Sequence, residues 1–271
     1  MSRGSIVEEI GARAEREIAV LVGKCAAAEA EIVTTYFGKP RPRESRIVYM
    51  KHQTGRELSR VFQLGNRVAA KLPGLGTTTD RLDFQEDVQK LLDETIHFNL
   101  SFDILAWLLG EEPSIAKLRD YDIFDPNPEA PFNRENAKLA KLYRELRSEL
   151  ASETAPWVSL VLDEGLLEGG GCGYFYTASR LDGGEFETRV ARMMKVVVKD
   201  EVRHGPEQLA KLRDMPLTEE DLERLKGLMR RHAEARVRFR NEEFSYVLGE
   251  ERLREIIEEG KIEPLYVWQL A

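Results

Sequence analysis

The sequence predicts an all-α fold, a four-helix bundle made of two antiparallel hairpins joined by a long crossover, with one further helix on either side. Three observations predict it. Apolar residues recur at helical spacing along most of the chain, and no stretch alternates as a strand would. The breaks between helices are short, except for a proline-bearing connection over residues 111–133. Two copies of one signature, Asp93-Glu94-Thr95-Ile96-His97 and Asp200-Glu201-Val202-Arg203-His204, each sit inside a helical stretch. All 271 residues are read as one domain, with its core bundle over about 45–213.

The elements follow from local signals. Residues 5–37 form an Ala- and Glu-rich flanking helix that ends at Gly38-Lys39-Pro40. The next helix runs from about 45 to Leu72 and stops at Pro73-Gly74, because proline cannot continue it and glycine suits the cap. The third opens after Thr77-Thr78-Thr79-Asp80, a run of good N-cap residues, and continues to Leu109-Gly110. A fourth helical region covers about 134–181, with Pro156 a point of fracture. Gly183-Gly184 turns the chain into a fifth, 185–213, which Pro206 is expected to kink. Thr218 caps a sixth helix, the second flanking one, over 218–247, and a short amphipathic tail follows.

Composition narrows the function classes. Charged residues make up 32% and mean hydropathy is −0.41, which suits a soluble helical protein and leaves no run long enough to span a bilayer. Net charge is −8 with the signs interspersed, so a nucleic-acid partner is not expected. Residues 1–9 lack the apolar core of a signal peptide, and Cys25 and Cys172 lie in no CxxC. A cytoplasmic location is expected.

The repeated signature carries the chemistry. Glu at i and His at i+3 share a helix face, so their oxygen and nitrogen converge. With 35 Glu and four His, roughly half of one Glu-x-x-His arises by chance. Two are present, each preceded by Asp. A di-metal carboxylate bundle also needs one acid from each of two other helices. Glu94 lies about as far beyond the turn at Asp80 as Glu57 lies before Leu72, so a tight hairpin sets the two at one level. Glu57 interrupts an otherwise apolar stripe that includes Val61, Leu64 and Val68. Burying such an acid is costly unless a cation neutralises it. Glu29 and Glu31 are alternatives, but using them skips a helix. In the second hairpin Glu168 and Glu164 both stand level with Glu201. Glu168 is preferred as the ligand, and Glu164 is a near-equal neighbour or a group supporting the ligands.

This layout resembles the ferritin-like superfamily, specifically its di-iron carboxylate oxidases and oxygenases. The second signature is similar to the DExRH motif of bacterial multicomponent monooxygenase hydroxylases. The run Val197–His204 resembles the fourth-helix segment of aldehyde-deformylating oxygenases. Ile96 stands where the first copy would need Arg to complete the motif. The resemblance implies metal ligands Glu57, Glu94, His97, Glu168, Glu201 and His204, with Asp93, Asp200 and Arg203 partnering the histidines. It implies two iron ions, or manganese with iron, and dioxygen as co-substrate. Zinc is disfavoured by a set rich in carboxylates and lacking thiolates.

The expected function is O2 activation by a di-metal oxidoreductase acting on a small or acyl-type organic substrate. Expected partners are an external electron donor (a ferredoxin or a reductase) and a second copy of the chain as a homodimer. Two other readings stand beside it: a ferroxidase or peroxidase that handles iron, and a metal-free helical interaction protein. Gly169-Gly170-Gly171-Cys172-Gly173 costs a helix roughly 1 kcal/mol per glycine. That run is read either as space beside the metals or as close helix packing. His52 and His232, outside both signatures, are read as surface or packing residues.

Overall fold

The computed structural model describes residues 3–155, 157–162 and 165–270, with side chains for 9–155, 157–162, 172–203 and 205–270. These residues are helical with connecting turns, and their one β-bridge joins Leu75 to Thr79 within a turn. None of the described helices is long and apolar enough to cross a membrane. Contacts divide the chain into two compact units, Arg41–Ala140 on the one hand, and Met1–Pro40 with Lys141–Ala271 on the other. The expected core over 45–213 therefore contributes to both.

The helices, in order, are α1 (Arg3–Phe37), α2 (Arg43–Lys71), α3 (Arg81–Leu109), α4 (Ile115–Leu118) and α5 (Arg134–Glu149). They continue with α6 (Val158–Leu162), α7 (Gly165–Ala178), α8 (Glu185–Glu201), α9 (His204–Arg213), α10 (Glu219–Glu243) and α11 (Glu250–Ile257). The helical region expected over 134–181, with its fracture at Pro156, is already broken after Glu149, where α5 ends, and helix resumes at Val158. Residues 111–133 are more ordered than a plain connection. Besides α4 they form a 3₁₀ turn, and Asn133 Nδ2 donates to the carbonyls of Asp120 (2.5 Å) and Asn127 (2.7 Å).

The smaller unit is organised around the α2–α3 hairpin. Asp80 caps α3 by accepting from the Leu82 amide at 2.7 Å, and Gly110 ends it at φ 78°, a conformation glycine reaches without strain. At the open end, Arg43 donates to the Leu108 carbonyl at 2.5 Å, satisfying an oxygen that the helix terminus leaves without a partner.

In the larger unit α1 is central. This helix, expected to flank the bundle, packs along α7, α9 and α10, with Ala14, Ile18, Val22, Cys25, Ile32 and Tyr36 buried. Gly173 on α7 lets the two backbones meet, since a Cβ there would lie 2.0 Å from the Ala26 carbonyl oxygen on α1. At this glycine the structure gives close packing. The side chains of the helix at 169–171 lie outside the described residues. Gly173→Ala is expected to destabilise the chain by about 1–3 kcal/mol, because backbone cannot give way as a side-chain tip can. Urea denaturation checks this, and an unchanged midpoint would contradict the contact.

The expected kink in the fifth helix is present. α8 stops at Glu201 and α9 starts at His204. Pro206 has no N–H for the Val202 carbonyl one turn back, and its ring crowds that oxygen, so the interruption falls at residues 202–203. Thr218 and Asp221 close a reciprocal capping box on α10, with the Asp221 amide 3.1 Å from Thr218 Oγ1 and the Thr218 amide 2.9 Å from Asp221 Oδ2.

Candidate metal centre

Glu57 sits midway along α2 on its buried face, and Glu94 and His97 lie one turn apart on the facing side of α3. The hairpin register brings all three together. His97 Nδ1 lies 3.6 Å from Glu94 Oε2 and 4.0 Å from Glu57 Oε2. One ligand atom from each residue falls within 4.8 Å of the other two. Glu57 is 4% exposed and His97 1%, so water does little to solvate either.

Two residues that the sequence reading did not single out hold Glu57 in place. Gln53, one turn earlier on α2, donates to Glu57 Oε1 at 2.6 Å, and Arg56 donates to the same oxygen at 3.3 Å. The signal for Gln53 was its i, i+4 spacing from Glu57 on one helix face. With Oε1 bound in this way, Oε2 is the oxygen turned toward His97.

Burial pushes the Glu57 carboxyl up to about 7, and the neighbouring Glu94 carboxylate and a hydrogen bond with it act in the same direction. Arg56 and His97 pull the other way. The folded, metal-free chain therefore binds this proton more tightly than the unfolded chain, where the ordinary value is 4.5. The resulting stability is fully present below pH 4.5 and is lost as the pH rises through 7. Its size is about 3 kcal/mol at 1.36 kcal/mol per pKa unit. Glu57→Gln cannot ionise, so in chelator its stability relative to wild type is expected to rise by that amount between about pH 4.5 and about pH 8. Urea denaturation at several pH values measures this, and a pH-independent difference would contradict it.

The other expected residues lie in the larger unit. Glu201 is the last residue of α8 and half-buried, and its carbonyl accepts from the Cys172 thiol at 3.5 Å. His204 opens α9 and Glu168 lies on α7, but their side chains are outside the described residues, as is Glu164 altogether. The second signature therefore spans the α8–α9 break, whereas the first lies within one helix. Asp93 accepts from Gln89 Nε2 at 2.8 Å, Asp200 is half-buried and Arg203 is exposed.

The alternative ligands are engaged elsewhere. Glu29 is fully buried, with Oε1 2.9 Å from Arg236 Nε and 3.4 Å from Arg240 Nε. Glu31 pairs with Arg252 at 2.8 Å. Arg240 also pairs with Glu243 and lies 4.4 Å from the centre of the Tyr174 ring. His52 and His232 are packing residues, not surface ones. His52 meets the Tyr121 ring edge-on, and His232 Nε2 lies 3.0 Å from Tyr143 Oη. Both cysteines are buried thiols outside any disulfide.

No protein-family model, characterised protein or solved structure matches this chain. The chemical reading therefore rests on the donors themselves. Two carboxylates and an imidazole, close together, with Glu57 and His97 buried and Glu94 half-buried, fit a divalent transition metal, whose charge would offset the cost of burying Glu57.

Proposed function

We propose that the chain is an O2-activating oxidoreductase of ferritin-like architecture using two iron ions, or manganese with iron. The Glu57–Glu94–His97 cluster, with Glu57 and His97 buried, carries this reading. Glu57, Glu94 and His97 supply ligands from the smaller unit, and the sequence assigns Glu168, Glu201 and His204, the residues of the second signature and its facing helix, as further ligands. Such a metal pair supplies electrons for reducing dioxygen.

The protein's own contribution starts at Glu57. Gln53 and Arg56 fix its Oε1 and leave Oε2 to face His97. In the metal-free chain Glu57 holds a proton up to about pH 7, and a cation bound at neutral pH would displace it. Burial keeps bulk water from the imidazole. An organic substrate of small or acyl type is the proposed acceptor of the oxidising power, with an external reductant returning electrons.

The test is to load Fe(II) without oxygen, count metal per chain by elemental analysis, then admit O2 and follow both gas uptake and retained iron. Two irons per chain, with O2 consumed and iron kept, are expected. Glu94→Ala combined with His204→Ala should abolish loading, and full retention in that double variant would remove the ligand assignment. Uptake of many irons per chain would favour iron handling, and no binding at all would favour a metal-free interaction protein.

A further inference from the structure

We infer that the outward face of α3 is a self-complementary surface through which two copies of this chain pair antiparallel about Leu92. The inference is independent of the metal reading. Val88, Leu92 and Ile96 are 41%, 53% and 40% exposed and recur every four residues, forming one apolar stripe on a single helix face. They point roughly opposite to Glu94 and to the buried side of α3 formed by Asp87, His97, Ser101 and Ile104. Packing the hairpin on its inner side leaves this stripe outside.

The order of residues along the stripe identifies the occupant. Continuing the same face in both directions gives exposed Gln85 and Arg81 on one side, and exposed Asn99 and Asp103 on the other. Val88 and Ile96 are equally far from Leu92, as are Gln85 and Asn99, and Arg81 and Asp103. A two-fold axis through Leu92 therefore sets Leu92 against its own copy and Val88 against Ile96. It also pairs amide with amide and places each Arg81 opposite the Asp103 of the second copy. In a two-fold interface each residue meets the counterpart of its own partner, so a palindromic helix face is what such pairing requires. Among the described residues, neither Arg81 nor Asp103 makes an ion pair or side-chain hydrogen bond within the chain, leaving both charges for the partner. The apolar centre with a polar, charge-complementary rim matches the general anatomy of protein interfaces.

Sedimentation equilibrium of the full chain tests this. The wild type should be dimeric. Leu92→Glu puts two carboxylates face to face on the axis and should weaken the dimer by about a hundredfold or more, with helix content unchanged because Leu92 is exposed. Arg81→Asp and Asp103→Arg should each weaken it by about tenfold, because each turns two attractions into two repulsions. The double charge swap should return it to within about threefold of wild type. A monomeric wild type would overturn the proposal. So would a dimer indifferent to Leu92→Glu, or charge-swap effects that add when combined instead of cancelling.

Discussion

Glu57→Gln combined with His97→Ala is expected to lower affinity for a divalent transition metal by at least about a hundredfold. Residues that merely support metal ligands change affinity by about 10–100-fold, and loss of two donors should exceed that. The amide that replaces the Glu57 carboxylate keeps its shape but loses the charge that makes Oε2 a strong donor toward a cation. In chelator at about pH 8 relief of the buried Glu57 charge offsets the cavity left by His97→Ala, so the variant should fold with stability near that of wild type. The two effects separate cleanly. Metal at a hundred times its dissociation constant should stabilise wild type by about 2.7 kcal/mol and leave the variant unmoved. Thermal melts with and without metal read both. Equal metal-induced stabilisation of the two proteins would remove Glu57 and His97 from the site.

Arg240→Leu is expected to cost about 3–5 kcal/mol, lowering the melting temperature by on the order of 10 °C. Arg240 is 1% exposed and its guanidinium pairs with Glu29 and Glu243, both fully buried. Removing it leaves Glu243 without this cation and Glu29 with one fewer, Arg236 remaining. Arg240→Lys should lose a smaller amount, since an ammonium keeps the charge but gives up the forked donors and the stacking on Tyr174. Replacing Arg240 and Glu243 together by leucine should recover part of the loss, because the uncompensated charge disappears with its partner. Calorimetry of the three variants measures the series. A loss under about 1 kcal/mol for Arg240→Leu would mean that water solvates this cluster.

The helices, their caps and the kink before Pro206 were legible in the sequence because each depends on residues within one or two turns. The same holds for the Glu57–Glu94–His97 cluster in the smaller unit. A short turn at residues 72–80 determines which level of α2 meets which level of α3, and Glu57, Glu94 and His97 follow from counting outward from it. Chain-long packing was not legible. Glu29 meets Arg236, and Arg213 meets Glu15, across about two hundred residues, and nothing local in an acidic helix says which arginine will neutralise which acid. Tertiary structure alone decided that Glu29 is a paired core residue and that α1, with its small and apolar face, packs along α7, α9 and α10. It also decided that Gly173 serves a backbone contact, because a missing side chain reads the same in sequence whether it makes room for a ligand or for another helix.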